Sequence, residues 1–194
     1  GNERWSMMYN HGGSVPDNVE NVSIGPDGAV YVSGKSAAWT NHILIVKYKE
    51  PAALNLTAFI DGMYDNTSNT MVPDTVIVYL RNASSPFTLA DSSKLLLGND
   101  GKGTFIFHNT TPGIPYYVAI KHRNSLETWS ADPVIFSGTS VNYDFTTASN
   151  KAYGNNLIQK GNKYCIISGE LDGDGYVDVS DMSIVENDFF NNLS

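Results

Sequence analysis

Read as a string of apolar and polar positions, most of the chain before residue 180 carries the period of a strand. Alternating or β-branched runs recur at Ala29-Val30-Tyr31-Val32, Ile43-Leu44-Ile45-Val46, Thr75-Val76-Ile77-Val78-Tyr79-Leu80, Thr104-Phe105-Ile106-Phe107 and Tyr116-Tyr117-Val118-Ala119-Ile120. Turn-forming residues separate them, at Pro26-Asp27-Gly28, Asn99-Asp100-Gly101, Pro112-Gly113 and Lys160-Gly161-Asn162. Short strands with turns at this spacing predict an all-β chain of sandwich or propeller type. The period changes near the C-terminus. Met182, Val185 and Phe189 recur at helical spacing, with Ile184 and Phe190 widening the stripe, and predict one short helix with an apolar face to bury.

Three segments follow from this pattern. Residues 1–50 offer four strands, near 5–9, 19–24, 29–33 and 43–48, the size of one propeller blade. Pro51-Ala52-Ala53 marks a boundary. Residues 51–150 hold about seven strands, enough for an immunoglobulin-like or prealbumin-like β-sandwich. Residues 151–194 hold a hairpin, an acidic loop and the helix.

Charge changes the picture at one place. The 194 residues sum to −8, but residues 1–163 hold all 12 basic groups and sum to −1, whereas residues 164–194 hold seven acidic groups and no basic one. An acidic chain without a basic stripe repels nucleic acid and anionic membrane surfaces, so both partner classes are excluded. No run approaches the roughly 18 apolar residues of a membrane span. Cys165 is the only cysteine, which excludes an internal disulfide and a thiolate metal cluster; its apolar neighbours read as a buried position. The sequence begins Gly1-Asn2-Glu3 without an initiator Met, and the expectation is a piece of a longer, secreted protein whose signal peptide lies elsewhere.

The acidity is patterned. Residues 170–181 read Glu-Leu-Asp-Gly-Asp-Gly-Tyr-Val-Asp-Val-Ser-Asp. A twelve-residue calcium loop needs oxygen ligands at positions 1, 3, 5, 9 and 12, a carbonyl at 7 and Gly at 6. Glu170 at position 1 places Asp172, Asp174, Gly175, the Tyr176 carbonyl, Asp178 and Asp181 in those roles. Starting at Asp172 puts Tyr176 at position 5 and Ser183 at position 12, which breaks the pattern. Val177 falls at position 8, expected to anchor the loop to the core, and Asp178 or Ser180 is placed to cap the helix. Carboxylates this close repel one another without a counter-ion. The expected ligand set for one Ca²⁺ is therefore Glu170, Asp172, Asp174, Tyr176, Asp178 and Asp181, in a structural role.

Resemblances attach to each segment. The run Gly25-Pro26-Asp27-Gly28-Ala29-Val30-Tyr31-Val32-Ser33-Gly34, with Trp5, Tyr9 and Ile45-Val46-Lys47-Tyr48 around it, resembles a bacterial β-propeller repeat. Gly101-Lys102-Gly103-Thr104-Phe105-Ile106-Phe107, followed by Thr111-Pro112-Gly113-Ile114-Pro115-Tyr116-Tyr117-Val118, resembles the prealbumin-like sandwiches attached to extracellular proteins. The run from Gly169 to Asp178 resembles the half-EF-hand calcium repeat of dockerin modules, with Glu170 where Asp is usual. Dockerins occur as paired repeats, and one lies here. These resemblances imply a non-catalytic, calcium-binding accessory or assembly module of a secreted or cell-surface bacterial protein, with a cohesin-like chain, a second copy or a polysaccharide as partner.

Outside the loop, residues 121–129 are the densest cluster of functional side chains. His122, Arg123, Asn124 and Glu127 offer polar contacts and Trp129 a stacking face, which would suit a carbohydrate-binding surface; the competing expectation is a strand end in which Trp129 covers a sheet edge. The four histidines have no metal-site spacing, and no nucleophile elbow or phosphate-binding glycine loop occurs. No catalytic residue is nominated. Asn21, Asn55, Asn66, Asn82, Asn109 and Asn192 begin Asn-x-Ser/Thr sequences, expected to be compositional in a bacterial chain.

Overall fold

Strands dominate the computed structural model, which describes residues 18–26, 28–35, 43–138 and 140–191. In chain order they are β1 (Asn18–Ile24), β2 (Val30–Lys35), β3 (Ile43–Tyr48), β4 (Ala52–Thr57), β5 (Tyr64–Asp65), β6 (Thr70–Met71), β7 (Asp74–Asn82), β8 (Leu89–Leu97) and β9 (Lys102–Phe107). After them come β10 (Pro115–His122), β11 (Ser125–Trp129), β12 (Val134–Ile135), β13 (Ser140–Asp144), β14 (Ile158–Lys160) and β15 (Lys163–Cys165). One α-helix follows, α1 (Val179–Phe190). The fold is all-β with a short C-terminal helix, and among the described residues no sheet closes into a barrel or a propeller.

The chain divides into two units, Gly1–Glu50 and Pro51–Ser194. In the first, β1, β2 and β3 form an antiparallel sheet in that order. Its register slips between Val19 and Asn21, opposite Gly34, where a Cβ would collide with the Asn18 carbonyl oxygen. The strand expected near residues 5–9 lies outside the described residues.

In the second unit, β11-β10-β7-β8 form a sheet with β12 added beside β10, and β13-β4-β9 form another. Alternation explains how they meet. On β7, Val76, Val78 and Leu80 are buried while the residues between them are not; on β10, Tyr116, Val118 and Ile120 share the inward parity. They form one core with Leu54, Leu56, Phe105 and Phe107 of the other sheet. Ala52 and Ala53, read from the sequence as a boundary, already belong to β4. β13 pairs with β4 in parallel, so this sheet is mixed. Gly101, at φ 72°, turns the chain between β8 and β9; a Cβ there would sit 2.6 Å from the Ala58 carbonyl oxygen and 2.7 Å from the Phe59 ring.

An extended segment, residues 165–169, carries the chain from this core to the acidic loop. Cys165 and Ile166 are fully buried. On one side the Ile166 amide donates to the Phe59 carbonyl at 2.8 Å, the Ile166 carbonyl accepts from the Asp61 amide at 2.9 Å, and the Ser168 hydroxyl accepts from the Gly62 amide at 2.7 Å. On the other side the Ile167 carbonyl accepts from the Leu126 amide at 3.0 Å, and the Gly169 amide donates to Asn124. This strap fixes where the loop begins. Burial pushes the Cys165 thiol up to about 11, with the Asp61 carboxylate adding to the effect.

Candidate metal centre

The loop between the strap and α1 is turned by Gly169, Gly173 and Gly175, at φ 105°, 85° and 88°, a region that residues with a Cβ rarely adopt. These turns gather Glu170, Asp172 and Asp174, whose carboxylate oxygens lie within 4.8 Å of one another. Each of the three uses one oxygen on the loop's own amides. Glu170 Oε1 accepts from Gly173 at 2.6 Å and Gly175 at 3.4 Å, Asp172 Oδ1 from Asp174 at 3.1 Å, and Asp174 Oδ1 from Tyr176 at 2.8 Å. The second oxygen of each accepts no hydrogen bond from the described residues. Glu170 is buried, whereas Asp172 and Asp174 are exposed. Three converging carboxylates with free oxygens form a donor set that fits a hard divalent cation, because every donor is an anionic oxygen.

The remaining acidic residues of the pattern are used differently. Asp181, buried, accepts from the amides of Leu171 (2.6 Å) and Asp172 (3.3 Å) through Oδ1 and from the Asp178 amide (2.9 Å) through Oδ2. Both its oxygens therefore clasp the loop to the helix. The Asp178 amide, then the Leu171 amide, hold its carboxyl below the ordinary carboxylate range. Asp178 is the N-cap of α1: Oδ1 accepts from the Ser180 amide at 2.8 Å and hydroxyl at 2.6 Å, and the return bond to Asp181 completes a capping box. The Ser180 hydroxyl and amide lower the Asp178 pKa. Tyr176 is turned outward, 71% exposed.

The apolar stripe of α1 is expected either to pack on the sandwich or to complete an intermolecular contact. The first of these does not hold: Met182, Val185 and Phe189 are 62%, 55% and 78% exposed. A groove of about 980 Å³ lies between the apolar face of α1 and Arg123, Asn124 and Ser168. Val177 does not reach the core either. It is 48% exposed and lies against Gly169, where its methyl would stand 3.1 Å from an added Cβ.

Residues 121–129 are distributed over three environments. His122, buried, and Arg123 both face Asp74 Oδ2, at 3.4 and 2.6 Å. Burial works to raise the Asp74 pKa, but the Thr75 amide, His122 and the Arg123 guanidinium outweigh it and hold the carboxyl below its ordinary value. Asn124 accepts from the Gly169 amide through its side chain at 3.0 Å and its main chain at 3.2 Å. Glu127 accepts from the Trp129 indole at 2.8 Å. Trp129 lies on the outer sheet face, 5.8 Å from Tyr117 and 6.2 Å from Phe87 between ring centroids, with the Arg81 guanidinium 5.2 Å above its ring. Asp74 and Ser168 are not marked by the sequence; the one available signal is the inward strand parity that His122 shares with Ile120. No family of known proteins matches the chain, and no curated protein matches it.

Proposed function

We propose that this chain is a non-catalytic, calcium-binding accessory module of a larger secreted or cell-surface protein, in which one Ca²⁺ holds the acidic loop and helix to the sandwich. The observation that carries the reading is the convergence of Glu170, Asp172 and Asp174, each with an oxygen free of hydrogen bonds. Asp178, Asp181 and the Tyr176 carbonyl complete the expected ligand set, Asp181 after release from a loop amide. Calcium is favoured over magnesium because the expected set draws oxygen donors from six residues, and magnesium usually keeps several waters rather than taking an all-protein cage. Isothermal titration of the chain with CaCl₂ and MgCl₂ tests this. Binding of one Ca²⁺ at submillimolar concentration, with weaker Mg²⁺ binding, is the expected result; no heat and no change in melting temperature at millimolar calcium would refute it.

The exposed apolar face of α1 supports assembly as the use of the module. Val179, Met182, Val185, Phe189 and Phe190 are each more than half exposed on a twelve-residue helix, a run that isolated soluble chains avoid. The partner is another protein chain or a second copy. Sedimentation at several concentrations with and without calcium checks the second copy, and a monomer under all conditions counts against it.

A further inference from the structure

The acidic loop starts from a point fixed by a turn, and that turn is fixed by a buried histidine. β10 ends at His122, β11 begins at Ser125, and Arg123 and Asn124 make the turn between them. The His122 Nδ1 accepts a hydrogen bond from the Asn124 amide at 3.1 Å. An imidazole nitrogen that accepts carries no proton, so the ring proton is on Nε2. Nε2 faces Asp74 Oδ2 at 3.4 Å, without the alignment of a hydrogen bond, and has no other partner among the described residues. The His122 side chain is fully buried. Asn124 in turn receives the Gly169 amide on both of its oxygens, and Gly169 immediately precedes Glu170.

Two demands on this imidazole conflict. Protonation would give Nε2 an ion pair with Asp74, in a cleft of about 440 Å³ whose other charged walls are Lys94, Lys121 and Arg123; Asp178, Asp181 and Asp188 line the groove on the other side of Arg123 and Asn124. Protonation would also place an N–H on Nδ1, head-on to the Asn124 N–H. Two donors cannot share that position, so the turn opens. We propose that His122 is the positioning residue of the acidic loop, and that its neutral form is required for the loop to hold its ion tightly. The ion in this statement rests on the calcium reading above; the relay from His122 through Asn124 to Gly169 does not.

The test compares the whole chain at pH 7.5 and 5.5, a range over which ordinary carboxylates stay ionised. His122→Asn keeps an acceptor near the Nδ1 position and cannot titrate; His122→Phe removes the acceptor. Calcium affinity of the natural chain is expected to fall roughly three- to tenfold on acidification, the worth of one lost hydrogen bond. His122→Asn is expected to bind equally at both pH values, and His122→Phe to bind weakly at both. An equal pH response in the natural chain and His122→Asn overturns the proposal. Hydrogen exchange at the Gly169 amide, corrected for its intrinsic rate, is the second readout. If no calcium binds at either pH, the calcium reading fails and this exchange alone decides the relay: protection lost at pH 5.5 in the natural chain and kept in His122→Asn supports it, and pH-independent protection overturns it.

Discussion

Glu170→Gln separates the charge of the acidic loop from its shape. The amide oxygen of Gln can still accept from Gly173 and Gly175, so the loop geometry survives while one of three converging negative charges is removed. At the 4.8 Å limit of the cluster, two unit charges repel by about 0.9 kcal/mol in bulk water. Asp172 and Asp174 are exposed but Glu170 is buried, so the water value is a lower bound and relief from both is at least about 2 kcal/mol. Against this, the short bond from Gly173 loses its charge assistance, about 1 kcal/mol. Without calcium the variant should therefore be no less stable than the natural chain. With calcium at about 100 times its dissociation constant, the natural chain gains about 2.7 kcal/mol. For a unit of this size that raises the melting temperature by roughly 5–11 °C. Glu170→Gln, with a weakened ligand set, should gain less than about 5 °C. Calorimetric melts in EDTA and in calcium read both quantities. A variant that responds to calcium as strongly as the natural chain, or one that is several kcal/mol less stable in EDTA, would refute the reasoning.

Three further outcomes follow from the geometry. Asp178 and Asp181 have pKa values lowered from 3.8 by hydrogen bonds made in the folded loop, so their stabilisation is complete above that value and is lost as pH falls through the lowered folded-state values; the helical circular dichroism signal should disappear below about pH 3.8 before the strand signal does, and simultaneous loss would count against it. Gly101→Ala should cost about 2–4 kcal/mol in urea unfolding, since its Cβ meets a carbonyl and an aromatic ring at positive φ. Phe107→Ala, which empties a fully buried position between the two sheets, should cost about 3–5 kcal/mol in the same assay, and a loss below 1 kcal/mol would mean that the core closes over the gap.

The strands were legible because burial on one side writes a period of two into β7 and β10, and turn residues mark their ends. The parallel pairing of β13 with β4 was not, because alternation defines which face is buried and says nothing about strand direction. The loop acids were legible from spacing alone. Their division of labour was not: Asp181 occupies a ligand position in the sequence, yet three amides from Leu171, Asp172 and Asp178 converge on it in space. The apolar stripe of α1 correctly marked a helix, but a stripe records that a face is apolar and cannot record what covers it. His122 belongs to a densely functional stretch by sequence, and only the fold sets its ring beneath the surface, with Asp74 from β7 beside it.

Cys165 gives the strap a native clock. The thiol is the only one in the chain, is wholly buried and is held at a pKa of about 11, so a thiol reagent meets it only when the segment around it lifts. The rate at which it is labelled then measures how often the strap opens, with no introduced probe. Calcium bound in the loop that follows the strap should slow that rate by the same factor by which it favours the closed loop. Chemistry at a residue with no contact to the ion thus becomes a count of how firmly the tail is fastened.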